Sequence, residues 1–408
     1  MARTMTEATV AERKQRAFEW IRALAAMPHR ISGTLYERQA AEMVSDWLHQ
    51  LGTKDVQIVP VRGGPRPGLV LALHAAVGLL GVLWGGFVGI LLAGLSAWSF
   101  FSEFGRRRPV LSKLLRSPDS VDVIGRHGPP QAKNRVVLSA HIDTTEAGLV
   151  FAPALANLFA GWNHRTSSDT NRVPLPPLAL PYFLLLAGLL VVTAEWLGAH
   201  GALFSLIRLA TILGLGTATG LGLQWVLARP TPGANDNASA VAAMLLAADE
   251  LIKDLPPDTE LIAVGTGAEE CGCGGMWELL EGHPHWDRTR TLFVNFECVG
   301  GGELHYVVSE GLLGRTYYPP DLLAVAGRLA ASGRFGPVTP VHLLAGTDGN
   351  VPARLGYPTL SIIALEENGV PRNYHQMTDT PDCIDMDTVV RAADFGVAAA
   401  RFALASLD

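Results

Sequence analysis

The sequence predicts an α/β fold: a mostly parallel mixed sheet with helices on both faces, into which membrane-spanning helical hairpins are inserted. Three observations predict it. From Gly233 onward, helical and strand patterns alternate regularly, as in a sheet covered on both sides. Strand patterns also stand at 56–61 and 135–140, on either side of a long apolar run. The chain as a whole is 49% hydrophobic and only 17% charged, with a mean hydropathy of +0.24. That balance is too apolar for an ordinary soluble enzyme of 408 residues and points to membrane segments.

The elements follow in order. Thr9-Val10-Ala11-Glu12 and Thr34-Leu35-Tyr36-Glu37 both match the capping box, so each is expected to open a helix. In the second, Ala40, Ala41, Met43, Val44, Trp47, Leu48 and Leu51 form an apolar stripe, and Gly52 is placed to end it. Residues 56–61 read as a strand. No charged side chain then occurs from Gly68 to Phe101. One spanning helix needs about 20 residues, so a hairpin here is short, with Gly85-Gly86 marking its turn. A strand at 121–125, a hairpin-like polar turn and a buried strand at 135–140 resume the soluble pattern.

A moderately apolar piece, 147–162, is interrupted by Pro153 and Asn157 and reads as an interfacial helix or rim. Apolar runs at 178–197 and 202–227 flank the turn Gly198-Ala199-His200-Gly201 and make a second membrane hairpin. Glu195 and Arg208 lie on its two arms near that turn. They are expected to pair, because an unpaired charge in a bilayer is costly. Beyond 233, helices are expected at 238–251, near 276–281, at 320–332 and at 387–407. Strands are expected at 259–266, 291–298, 303–308, 340–344 and 359–364.

The soluble domain is therefore read in pieces, 1–66, 105–146 and 229–408. Transmembrane hairpins lie at 67–104 and 177–228, and a rim at 147–176. For the pieces to share one sheet, each hairpin must cross an even number of times, giving about four spans. Arg62, Arg66, Arg106 to Arg108, Lys113, Arg165, Arg172 and Arg229 gather at the domain ends of the hairpins. By the positive-inside rule a multi-pass protein of this kind keeps its soluble domain in the cytoplasm. The first residues are polar, with no signal-peptide core. A net charge of −6 gives no support for nucleic-acid binding, and Cys271, Cys273, Cys298 and Cys383 are not spaced as a disulfide framework.

In open α/β sheets, chemistry collects at the carboxyl ends of strands. Here 136–140 ends in His141-Ile142-Asp143. Leu261 to Val264 leads to Glu269-Glu270, Leu292 to Phe296 ends in Glu297, and Ser361 to Ala364 leads on to Tyr374-His375. The turn Gly233-Ala234-Asn235-Asp236-Asn237-Ala238-Ser239 holds the Asp236 carboxylate at the start of a helix, where its two oxygens suit two cations at once. Imidazole with carboxylate, and no thiolate required, suits zinc. Asp348, in Gly346-Thr347-Asp348-Gly349, is a further acid that either shapes a substrate pocket or serves a turn.

Ser139-Ala140-His141-Ile142-Asp143, the Gly233 to Ser239 turn, Ala268-Glu269-Glu270-Cys271-Gly272 and Tyr374-His375 through Asp379-Thr380 resemble the co-catalytic zinc aminopeptidases. That family includes bacterial leucyl aminopeptidase, glutamate carboxypeptidase and glutaminyl cyclase. The resemblance covers the soluble domain and not the apolar insertions. It implies two zinc ions, one held by His141 and Glu297, the other by Glu270 and His375, with Asp236 bridging. It implies Asp143 orienting His141 and Glu269 as general base. The family more often has Asp at the Glu297 position. The implied activity is that of a membrane-anchored aminopeptidase hydrolysing N-terminal peptide bonds, with peptide and lipid bilayer as partners. The alternatives are a glutaminyl cyclase-like acyltransferase with one zinc and a non-catalytic scaffold. The retained His141 and the doubled Glu269-Glu270 favour the hydrolase over the first. The complete ligand set favours it over the second.

Overall fold

The computed structural model describes residues 7–105, 110–115, 117–155, 157 and 178–407. Helix α1 (Glu7–Ala25) already contains Thr9, so Thr9 is not a cap. Ala17, Ile21 and Leu24 of this helix pack into the core. Helix α2 (Leu35–Gln50) does begin as expected, with the Thr34 side chain accepting the Glu37 N–H at 3.4 Å. Glu37 reaches past the box, to the Gly33 N–H at 2.6 Å.

Strand β1 (Asp55–Val61) leads into helices α3 (Pro67–Trp84) and α4 (Gly86–Phe100), whose turn is made by Gly85 and Gly86 at positive φ. A short helix α5 (Leu111–Leu114) precedes strands β2 (Ser120–His127) and β3 (Asn134–His141). Helices α6 (Ala179–Trp196) and α7 (Ala202–Val226) form the second apolar hairpin. Then come helix α8 (Ala240–Ile252), strand β4 (Thr259–Thr266) and helix α9 (Gly274–Gly282). Strands β5 (Thr291–Glu297), β6 (Glu303–Glu310) and β7 (Thr316–Tyr317) follow, then helix α10 (Pro320–Ala331) and strand β8 (Val338–Leu343). Helix α11 (Asn350–Arg354), strand β9 (Thr359–Leu365) and helix α12 (Met386–Leu404) complete the chain. The Asp385 side chain caps α12 by accepting the Asp387 N–H.

The strands form one sheet in the order β1-β2-β4-β3-β5-β9-β6-β7, with β8 also paired to β6. Its centre, β4-β3-β5-β9, is parallel, and β1, β2, β6 and β7 add antiparallel pairings at the edges. The expected hairpin between β2 and β3 does not form. Strand β4 inserts between them, antiparallel to β2 and parallel to β3, where its apolar run Leu261 to Val264 is buried on both faces. Helices cover both faces. One core packs α1, α2, α8, α10 and α12 against the sheet, and a second packs α9 and Val351 of α11.

Helices α3, α4, α6 and α7 stand apart as a bundle, α3 packing on α4 and α7, and α4 on α6. All four are long and apolar enough to cross a membrane, α4 when continued through the π-helical turn Phe101–Gly105. Their outward side chains, among them Leu83, Leu91, Leu190, Leu206 and Leu213, are large and exposed. Glu195 and Arg208 do approach, at 3.6 Å, and Arg208 also donates to the Val82 carbonyl at 3.0 Å. Of the rim expected at 147–162, a short helical turn at Leu149–Phe151 is seen, and residues 156 and 158–162 lie outside the described residues.

Candidate metal centre

The parallel strands place their carboxyl ends flush. His141 of β3 pairs with Thr266 of β4, and Ser139 pairs with Asn295 of β5, so His141 and Glu297 end side by side. The loop after β4 carries Glu269 and Glu270, and the segment after β9 carries His375. Asp236 comes from the turn ahead of α8, entered through Gly233 at φ +68, where a Cβ would lie 2.6 Å from both the Arg30 guanidinium and the Asp236 carbonyl. The Asp236–Asn237 peptide is cis.

These side chains converge around Asp236. Its Oδ1 lies 3.3 Å from His141 Nε2, and its Oδ2 lies 3.1 Å from His375 Nε2. Glu297 Oε1 is 3.2 Å from the same His141 nitrogen, and Glu270 Oε2 is 3.3 Å from the same His375 nitrogen. Two clusters result, His141 with Asp236 and Glu297, and Asp236 with Glu270 and His375. Within each, the ligating atoms all lie within 4.8 Å of one another.

Other residues hold this arrangement. Asp143 accepts the backbone N–H groups of Glu269 at 3.1 Å and Glu270 at 3.2 Å, while its carbonyl lies 3.1 Å from His141 Nδ1. Asn235 Oδ1 accepts the Gly300 N–H, and Asn237 Oδ1 accepts the Cys298 N–H, fastening the Asp236 turn to the chain after β5. Asp379 accepts the Asn235 and Asp236 N–H groups at 2.7 and 3.0 Å. Arg30 is fully buried and donates to the carbonyls of Leu24, Ile142, Pro232 and Gly233. Sequence reasoning quoted Asp379 within a motif but gave it no role, and it missed Arg30. Both lie far along the chain from the groups they hold, so no local spacing marks them.

Glu269, expected as a base, sits beside Cys273 Sγ at 3.4 Å and close to Asp348, whose Oδ2 accepts the Thr266 hydroxyl. Asp348 therefore faces the site and is not merely a turn residue. None of the four cysteines forms a disulfide. Burial pushes the Cys271 and Cys298 thiols up, which keeps them protonated.

Electrostatically the site is crowded with acid. Burial raises Glu269 and Glu297, and takes Glu270 and Asp348 each to about 7. Burial alone would lower the histidines. Glu270 and Asp236 instead lift His375 to about 10, and Glu297, Asp143 and Asp236 lift His141 well above its ordinary range. Burial would raise Asp236 too, but the two imidazoles hold it below the usual carboxylate range. Glu270 Oε1 and Glu297 Oε2 are buried with no hydrogen-bond partner among the described residues. Buried carboxylate oxygens left so are costly unless a cation meets them. Two imidazoles and three carboxylates, with no thiolate among them, fit zinc. A bound dication would hold the carboxylates charged and the imidazoles neutral.

Residues 219–400 match the model described as Peptidase family M28. No curated protein sequence matches the chain. Among solved structures, an aminopeptidase from Aneurinibacillus sp. strain AM-1 superposes with a TM-score of 0.56 at 16% identity, over 97% of this chain and 95% of that one. A zinc aminopeptidase from Bacillus subtilis gives 0.54 at 15% identity, over 96% and 95% of the two chains. Porphyromonas gingivalis glutaminyl cyclase gives 0.51 at 15% identity, over 95% and 98%. At such identities the likeness is one of fold.

Proposed function

We propose that this chain, whose residues 219–400 match Peptidase family M28, is a membrane-anchored metallo-aminopeptidase working with two zinc ions on N-terminal peptide bonds. The observation that carries the reading is the division of Asp236, one oxygen toward each histidine. In it His141, Asp236 and Glu297 would hold one ion, and Asp236, Glu270 and His375 the other. Such ions would supply Lewis acidity, lowering the pKa of a water and polarising the scissile carbonyl. Glu269 is the general base, taking the proton from that water and returning it to the leaving amine. Asp143 fixes the loop that carries Glu269 and Glu270, so base and ligand keep one mutual geometry. Burial raises the Glu269 carboxyl above its ordinary value, which strengthens it as a proton acceptor.

The apolar hairpins anchor the domain at a bilayer, with the soluble part on the cytoplasmic side where Arg62, Arg66 and Arg229 lie. Phe151 and Trp225 stand beside His375, so the cleft lies next to the domain end of α7. Peptides released at or near the bilayer suit that placement. A glutaminyl cyclase uses one metal and transfers no water. The complete five-ligand set and the presence of Glu269 support the hydrolase.

Metal analysis of the purified full chain tests the reading, together with a panel of N-terminal aminoacyl reporters with and without chelator. Two equivalents of zinc and chelator-sensitive release of the first residue are expected. One equivalent with cyclisation of N-terminal glutamine would favour the cyclase. A reporter placed in the turn at His200 is expected on the far side of the membrane from the soluble domain.

A further inference from the structure

His141 and His375 face the same carboxylate but are kept in place by different means. His141 Nδ1 lies 3.1 Å from the Asp143 carbonyl and 3.5 Å from its Oδ1. His375 is 6% exposed, and its Nδ1 has no hydrogen-bond partner among the described residues. In metal-binding histidines the second ring nitrogen ordinarily carries the hydrogen bond that orients the ring. For His375 that role falls to aromatic packing. Tyr374 stacks on it at 3.9 Å between centroids, Phe151 meets it edge-on at 4.3 Å, and Trp225 stands 6.4 Å away. Phe151 in turn contacts Trp225 edge-on at 4.8 Å.

Tyr374 is a chain neighbour of His375, but Phe151 and Trp225 come from elsewhere. Phe151 lies in the segment leaving β3 for the second apolar hairpin, and Trp225 in the last turn of α7. Several bonds strap these pieces together. The Trp225 indole N–H donates to the Glu146 carbonyl at 3.1 Å, and the Leu149 N–H donates to Gln224 Oε1 at 2.7 Å. Arg66, at the start of α3, pairs with Glu146 at 3.0 Å and donates to the Val226 carbonyl at 3.2 Å. At the start of α3 and near the end of α7, the two helices meet backbone to backbone. A Cβ on Gly68 would lie 2.8 Å from the Gly222 carbonyl oxygen, and the reverse is 2.7 Å. The end of α7 is thus fixed to α3 and to the segment carrying Phe151, and these fix the ring of His375.

We propose that Phe151 and Trp225 are positioning residues for the His375 half of the metal centre, so that the apolar hairpins set the metal affinity of that half and not of the His141 half. The proposal rests on the metal reading of the site. Loss of the aromatic wall frees the ring to rotate about its side-chain bonds, and the ligand must then be ordered afresh when metal binds.

The test is zinc titration of the metal-stripped full chain in lipid nanodiscs against a chromophoric chelator. Phe151→Ala and Trp225→Ala are expected to weaken one equivalent by about 10- to 100-fold while leaving the other unchanged. Trp225→Phe, which keeps a ring, is expected to restore most of the loss. In a His141→Ala background, which leaves the His375 half alone, Phe151→Ala should still weaken binding. In a His375→Ala background it should change nothing. Where the alanine variant fails to fold by circular dichroism, Phe151→Leu keeps the apolar bulk and carries the same expectation. Unchanged affinity for both equivalents, or equal weakening of both, overturns the proposal. A wild-type chain that binds no zinc would overturn the metal reading itself.

Discussion

The Asp143 carboxylate accepts the backbone N–H of Glu270 at 3.2 Å through Oδ2, while Oδ1 accepts that of Glu269 at 3.1 Å. One acid beside His141 therefore also sets the loop bearing the proposed base and a proposed ligand. Replacing Asp143 with Ala removes both acceptors and leaves two N–H groups without their partner. Zinc affinity is expected to fall about 10- to 100-fold, with kcat falling further than KM rises. Titration of the metal-free protein and steady-state kinetics on an aminoacyl reporter measure the two effects.

Glu269→Gln keeps the shape of the side chain and removes its basicity. Zinc content by elemental analysis is expected to stay at the wild-type level while kcat falls by about 10²- to 10⁴-fold. Retained turnover would take Glu269 out of the base role.

Burial drives the Glu37 carboxyl up to about 8, opposed by its bonds to Ser120 and Gly33. Its folded value exceeds its ordinary one, so the folded state holds a proton that the unfolded state releases. That contribution is full below about pH 4.5 and is lost as the pH rises through about 8. Glu37→Gln is neutral throughout. The difference in melting temperature, variant minus wild type, is therefore expected to grow across that window. A constant difference would place an ordinary carboxylate at this position.

Arg30 serves four backbone carbonyls from one guanidinium, including those of Ile142 and Gly233 beside the site. Lysine offers a point charge on a flexible stem and cannot match that fork. Arg30→Lys is expected to cost about 2 kcal/mol or more in unfolding free energy, because buried carbonyls lose their donors. Zinc affinity should fall with it, as the Gly233 turn that presents Asp236 loosens.

Glu195 and Arg208 lie 3.6 Å apart at the far end of the second apolar hairpin. A double-mutant cycle in detergent is expected to give a coupling of about 0.5–1 kcal/mol, as for polar contacts within membrane bundles. Zero coupling would leave the Arg208 bond to the Val82 carbonyl as its only anchor there.

Much of this was legible in sequence because its cause is local. Strand β4 matches the expected 259–266, and β9 and α10 differ from expectation by a residue at one end. Apolar runs ending in His141 and Glu297 need no tertiary knowledge to be read as buried strands with chemistry at their tips. What was not legible depends on partners distant in the chain. The placing of β4 between β2 and β3 is a choice among pairings that local pattern does not rank. Arg30 and Asp379 act on backbone groups, which carry no residue signature. Phe151 and Trp225 read as ordinary aromatics of a rim and a helix until their rings are seen against His375. Thr9 shows the opposite failure, a correct local signal overruled because the helix starts earlier.

The order of the parts along the chain has a consequence for biosynthesis. His141 is translated before the second apolar hairpin and His375 after it, yet both must meet the two oxygens of Asp236. Of the five proposed ligands only His141 precedes α6 and α7, so a nascent chain carries no assembled centre until both apolar helices and nearly all of the remaining chain have been made. On the proposed reading, the capacity to cleave peptides therefore arrives after the apolar hairpins and not before them.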